Sequence, residues 1–147
     1  MNSGPEPARA LDAGGVGAVL SDCIEAAEWL PSLHSRAEHV AAASQMIEAG
    51  WVQVVRRSDR IAGFVARDES ELHCLYVTPC LQGQGVGTDL LDQAKSASTT
   101  LHIWTYVRND AAQRFFRVHG FRDSKDRRYS GNDAGLPELR LEWKRTR

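Results

Sequence analysis

The chain has 147 residues, 42% of them hydrophobic and 25% charged, with a formal net charge of −1. That length suits one domain with a real core, and ordinary apolar content at low net charge excludes a disordered chain. Three cysteines (Cys23, Cys74 and Cys80) show no CxxC spacing, which excludes a zinc ribbon or disulfide framework and suits a reduced, cytoplasmic setting. The opening residues lack a signal-peptide core, and no stretch nears the roughly 18 apolar residues of a membrane span. A soluble domain that calls for no metal is expected.

The small total hides a division. Residues 1–107 carry 7 Lys/Arg against 13 Asp/Glu, whereas residues 108–147 carry 11 against 6, and 15 of the 18 cations are arginine. A basic end of this kind serves nucleic acid, or the phosphates of a small cofactor, or is a solvated surface.

In chain order, residues 1–8 read as a flexible lead-in to a single domain over 9–147, with a short strand near Arg9–Leu11. Residues 13–29 read as a helix closed by Pro31, although Gly14 and Gly15 weaken its start. Ser35-Arg36-Ala37-Glu38 is a capping-box pattern, so the next helix starts there, with Ala37, Val40, Ala43 and Ile47 on one stripe and Gly50 as its stop. Two β-rich runs, Trp51–Arg56 and Ile61–Arg67, flank Arg57-Ser58-Asp59-Arg60 as a hairpin. Glu71–Val77 alternates, placing Leu72, Cys74 and Tyr76 on one face and Glu71, His73, Leu75 and Val77 on the other. A helix follows the glycines of 83–87. Leu101–Val107 is the next strand, and Asn109 caps a further helix that Gly120 ends. Phe121–Tyr129 and Glu138–Trp143 complete the order β-α-α-β-β-β-α-β-α-β-β, an α/β layout of mixed strand direction.

The informative segment is Leu75-Tyr76-Val77-Thr78-Pro79-Cys80-Leu81-Gln82-Gly83-Gln84-Gly85-Val86-Gly87-Thr88. A strand that enters a glycine loop and leaves as a helix converges backbone N–H groups where the helix dipole also favours an anion. A phosphate or pyrophosphate is the implied ligand. The loop is no Walker loop, because Gly87 leads to Thr88-Asp89 with no lysine. Nor is it a dinucleotide fingerprint, because neither Gly83 nor Gly85 finds glycines at both the third and sixth positions.

At these residues the chain resembles the Gcn5-related N-acetyltransferases. Gln82-Gly83-Gln84-Gly85-Val86-Gly87 matches that family's Arg/Gln-x-x-Gly-x-Gly/Ala loop after a Val-x-Pro strand end, here Val77-Thr78-Pro79. Asn109, Ala112, Phe115 and Gly120-Phe121 match its second signature. The resemblance is close over residues 71–121. It implies the GNAT (acyl-CoA N-acyltransferase) fold, a mixed central sheet with two splayed parallel strands and flanking helices. It also implies acetyl-CoA as co-substrate and an amine as acceptor.

Carried onto this sequence, the resemblance assigns the pyrophosphate to the amides of Gln82, Gly83, Gly85, Val86, Gly87 and Thr88. It assigns the pantetheine arm to the main chain of Leu75 and Val77, and the oxyanion to the Val77 amide. Asn109 then contacts the arm, and Phe116 lies beside the thioester. An alkyl ammonium must lose a proton before it attacks. Glu71 is the expected base and His73 a substitute or relay; an exposed strand carboxylate is the alternative reading of Glu71. Many members carry a tyrosine where Phe116 stands here, so the acid that protonates the departing thiolate is reassigned to water, Tyr106 or Tyr76. Trp29 and His34 on one lip, with Asn132 and Asp133 on the other, are the expected acceptor contacts. Arg114 and Arg117 lie where the adenosine 3′-phosphate is expected.

The expected acceptor is a small-molecule amine, since nothing is appended to recognise a macromolecule. No membrane partner is expected, nucleic acid is disfavoured, and a homodimer stays open. A CoA-binding or regulatory module with weak catalysis is the second reading, and a nucleic-acid-binding domain the third.

Overall fold

Turn chemistry sets the first half of the sheet. Ser58 and Asp59 both take left-handed backbone angles (φ 53° and 64°), the geometry that lets a two-residue turn follow the twist of its strands. It joins β2 (Val52–Arg57) to β3 (Arg60–Asp68), and β4 (Glu71–Val77) returns antiparallel to β3. The computed structural model describes residues 4–129, 132 and 134–146. Among these, the remaining elements are β1 (Glu6–Pro7), α1 (Ala13–Ala26), α2 (Arg36–Glu48), α3 (Val86–Ser96), β5 (Thr100–Tyr106), α4 (Asp110–Val118), β6 (Arg122–Arg128) and β7 (Glu138–Lys144). The element order expected from the sequence is the order observed. The strands form one mixed sheet, β1-β2-β3-β4-β5-β7-β6, in which β4 and β5 run parallel.

Each face of the sheet buries its own core. Leu90, Leu91 and Ala94 of α3 and Phe116 of α4 pack with Leu72, Leu101, Ile103, Leu139 and Leu141 on one face. Val16 and Val19 of α1 and Ala43 of α2 pack with Val52, Val54, Phe64 and Ala66 on the other. Gly17 makes the second layer possible: a Cβ there would lie 2.8 Å from the Val40 backbone, so its absence lets α1 and α2 touch. Between these helices Ser21 Oγ and His39 Nδ1 lie 2.6 Å apart, both buried. The capping box of α2 forms as expected, with the Glu38 amide donating to Ser35 Oγ (3.1 Å) and the Ser35 amide to Glu38 Oε1 (2.9 Å).

Four expectations need correction. The strand near Arg9–Leu11 lies earlier, at Glu6–Pro7, paired with Val54 and Gln53, while Ala10–Asp12 is a 3₁₀ turn. Helix α1 stops at Ala26, three residues short of Trp29. Ala37 is exposed, and the buried positions of α2 are His39 and Ala43. Finally, the alternation of β4 breaks at His73. The register passes from Ala66↔Cys74 to Arg67↔Leu72, so His73 is the extra residue of a bulge, which reverses the facing of everything before it. Leu72 thus shares a core with Leu75 and Val77, while Cys74 and Tyr76 face the other.

The N-terminal turn is held by charge. Arg56 donates to Glu6 (2.7 Å) and to both oxygens of buried Asp12 (2.8 and 2.9 Å). Burial pushes the Asp12 carboxyl up, but hydrogen bonds from the Arg9 amide and the Arg56 guanidinium outweigh it and hold the carboxyl below its ordinary range. A carboxyl lowered by folding stabilises the fold above its unfolded pKa and loses that contribution as pH falls through its folded one. Asp12→Asn, which leaves Arg56 half-satisfied, is expected to cost about 1–3 kcal/mol near neutral pH. That difference from wild type should shrink in urea titrations run below about pH 4; a pH-independent difference contradicts the charge argument.

Candidate functional site

Parallel pairing between β4 and β5 covers only Glu71↔His102 and Leu72↔Ile103, although β5 continues to Tyr106 alongside β7. Beyond Leu72 the two strands part. The Thr78 amide bonds to the Ala62 carbonyl (2.8 Å), so Tyr76 and Thr78 direct their main-chain groups to β3. By the alternation of an antiparallel ladder, Leu75 and Val77 direct theirs into the gap. A cleft of about 640 Å³ occupies this gap, lined by Leu75, Tyr76 and Val77, the loop from Leu81 to Thr88, α4, and the end of α1.

The loop is built to present amides. Gln82 Nε2 donates back to the Val77 carbonyl (3.1 Å), folding the loop against the strand end. Gly83 and Gly85 take φ of +80° and +86°, angles that side chains resist. Gly85 is also the N-cap of α3 and caps no amide with a side chain. The first-turn amides of α3 therefore face a cleft that suits an anion. Gly87 closes the packing from behind: a Cβ there would meet the Phe115 ring at 3.3 Å. On the opposite wall Asn109 Oδ1 accepts the Ala112 amide (3.0 Å) and starts α4.

The expected coenzyme residues converge here. Leu75, Val77, Gln82, Gly83, Gly85, Val86, Gly87, Thr88, Asn109 and Phe116 all line the cleft, as does Trp29. Phe116 does so from the core, at 4% exposure and edge-on to Phe115 and Phe121. Two side chains escaped the sequence reading. His119 joins the lining, its Nε2 3.1 Å from Thr88 Oγ1 and its Nδ1 2.8 Å from the Phe115 carbonyl. Cys23 donates its thiol to the Val77 carbonyl (3.1 Å). A histidine before a helix-ending glycine carries no signal of this contact, since its partner Thr88 lies 31 residues earlier.

The remaining candidates are dispersed. Glu71 and His73 line a separate pocket of about 290 Å³ with Leu72, Trp104, Arg128 and Glu138. Glu71 accepts from Arg140 (2.9 Å), and His73 stacks on Trp51 at 4.3 Å. Trp104 lies under both Arg128 (4.3 Å) and Arg140 (5.5 Å). Tyr106 touches Trp29 edge-on at 5.5 Å, whereas the tyrosine lining the cleft is Tyr76. His34 is exposed beside Glu38 and does not line the cleft. Asn132 bonds to the Leu136 carbonyl and to Glu138, which Arg128 also holds; Asp133 lies outside the described residues. Arg114 and Arg117 are exposed on α4.

A family model for the acetyltransferase (GNAT) domain matches residues 19–141. The chain belongs to the GNAT acetyltransferase family. It is 29% identical over 70 residues to an uncharacterised N-acetyltransferase of Methanocaldococcus jannaschii, a match that covers 44% of this chain and 31% of that one, so the chain spans under a third of that relative's length. Among solved structures, apo YjaB of Escherichia coli superposes with a TM-score of 0.80 at 22% identity, covering 97% of each chain. The yncA protein of Salmonella typhimurium, solved with acetyl-CoA, gives 0.74 at 16% identity over 98% of this chain and 94% of that one. Both show the same fold.

Thiol chemistry tests the site's electrostatics. Burial, reinforced by the charge of Asp22, pushes the Cys23 thiol up to about 12 against the opposing bond to Val77, and burial alone brings Cys74 to about 12. Cys80 is exposed. Brief alkylation of the native protein at pH 8 should modify Cys80 alone, read by peptide mass spectrometry; comparable labelling at Cys23 contradicts this account of the cleft.

Proposed function

We propose that the chain transfers the acetyl group of acetyl-CoA to the primary amine of a small molecule, by direct attack of the amine on the thioester. One observation carries this reading: the cleft opened by the parting of β4 and β5 joins main-chain donors at Leu75 and Val77 to the uncapped start of α3. A long thioester ending in a polyphosphate needs both in series. The acetyl-CoA in the Salmonella fold neighbour supports the choice of coenzyme. The co-substrate supplies an activated acyl carbon, and the chain supplies placement, donors and proton transfer.

The amides of Gln82 to Thr88 hold the pyrophosphate, and Asn109 and Phe116 flank the arm. Leu75 and Val77 both offer an N–H to the carbonyl oxygen as it gains charge. At roughly 3.3 Å per residue, Leu75 stands about 13 Å along the strand from Glu71 and Val77 about 20 Å. The nearer amide is the better oxyanion donor if Glu71 is the base, with water bridging the remaining distance. Arg140 holds the Glu71 carboxylate in place, and His73 shares its pocket. Tyr76 lines the cleft and is the proton donor that Phe116 cannot be, although burial pushes its phenol up and makes it a weak acid for that step. Trp29 forms the acceptor lip.

The test is thiol release from acetyl-CoA across a panel of small amines. At least one amine should raise release well above hydrolysis, and its acetylated product should appear by mass spectrometry. With that amine, Glu71→Gln is expected to lower kcat/KM by about 100-fold, the usual scale of general-base catalysis. Unchanged kcat/KM removes Glu71 as base. Coenzyme binding without release for any amine favours a binding module instead.

A further inference from the structure

The contact between Thr88 and His119 determines where a hydroxyl proton points. Nδ1 of His119 lies 2.8 Å from the Phe115 carbonyl, and a carbonyl only accepts, so Nδ1 carries the ring proton. In the neutral ring Nε2 is then a lone pair, and the Thr88 hydroxyl 3.1 Å away must donate to it. That turns the only proton of Thr88 towards the ring and leaves Oγ1 lone pairs towards the cleft. Thr88 stands in the first turn of α3, where a phosphate is to sit, so its free-state polarity is wrong for an anion.

We propose that His119 couples coenzyme binding to proton uptake: as phosphate enters the loop, Nε2 takes a proton from solvent and donates to Thr88 Oγ1, and the Thr88 hydroxyl turns to donate to the phosphate. The inference rests on the reading that this loop binds the CoA pyrophosphate. The balance is one solvent proton gained, with one new N–H bond. His119 is thus a positioning residue that acts through Thr88.

The ring is held for this role. Phe115 packs on it at 4.5 Å between centroids, and the His119 carbonyl accepts from the Lys95 ammonium, which ties the end of α4 to the last turn of α3. The charged groups nearby are, on α3, Lys95, Asp92 one turn after Thr88, and Asp89, which faces Arg57 of β2 at 3.6 Å. On α4 they are Arg114 and Arg117, both exposed. Beyond Gly120 stands Trp143 of β7, followed by Lys144. The entering polyphosphate adds the negative charge that favours an imidazolium.

Calorimetry in buffers of differing ionisation enthalpy counts the protons. The probe is 3′-dephospho-CoA, which keeps the pyrophosphate but lacks the monoester that titrates near pH 6. At pH 7.5 the wild-type protein should take up a substantial fraction of a proton on binding, and His119→Gln none. From pH 7 to 8.5 the wild-type dissociation constant should rise about 3- to 10-fold while that of the variant stays flat. Zero uptake by the wild-type protein overturns the inference even where the variant fails to fold, as does equal uptake by both. Either result leaves the coenzyme reading standing. Absence of binding at every pH overturns both.

Discussion

The structure depends on a ladder that stops. After two pairs, Glu71↔His102 and Leu72↔Ile103, β4 and β5 part. Continuing the ladder would satisfy the main-chain groups of Leu75 and the amide of Val77 within the sheet and close the cleft. Buried amides and carbonyls rarely stay unpaired, so a strand that turns such groups into a gap is suited to an extended ligand that can complete the ladder. Parting the strands also brings the β4 end to the glycine loop, so the same discontinuity aligns the arm-binding strand with the anion-binding helix start.

The surroundings keep that gap open. Strand β5 finds its second neighbour in β7 along its full length, and β4 is held from the other side by β3. The α3/α4 core covers one face of the parting and the end of α1 reaches the other. The Val77 carbonyl is occupied by Cys23 and Gln82, which fixes the strand end. The basic character of the last forty residues reads differently in three dimensions. Arg128 and Arg140 stand over Trp104 and pair with Glu138 and Glu71. Part of the C-terminal charge thus serves to build the wall beside the expected acceptor side.

Much of this was legible in the sequence wherever the signal was local. The capping box at Ser35, the strand-to-helix loop from Gln82 and the Asn109 cap each rest on residues within a few positions of one another and formed as read, and the hairpin read at Arg57–Arg60 formed with a tighter turn, Ser58-Asp59 alone. Features that need distant partners were not legible. The bulge at His73 depends on the register with β3 and reversed the facing expected for Leu72. Strand β1 exists because Val54 and Gln53 offer it an edge. Ser21 with His39, and Thr88 with His119, lie 18 and 31 residues apart, and no periodicity links them. In the site, the loop and its strand were readable, whereas the ion pair on Glu71, whose partner Arg140 lies 69 residues on, and the choice of Tyr76 over Tyr106 as the cleft's phenol depend on the tertiary fold.

Amide hydrogen exchange, followed residue by residue with and without acetyl-CoA, reports most directly on the open ladder. The coenzyme is expected to slow exchange at the amides of Leu75 and Val77 together with those from Gly83 to Thr88, leaving Tyr76 little changed because β3 already holds it. Slowing confined to the loop, or none at Leu75 and Val77, would contradict the claim that the parted strand receives the coenzyme.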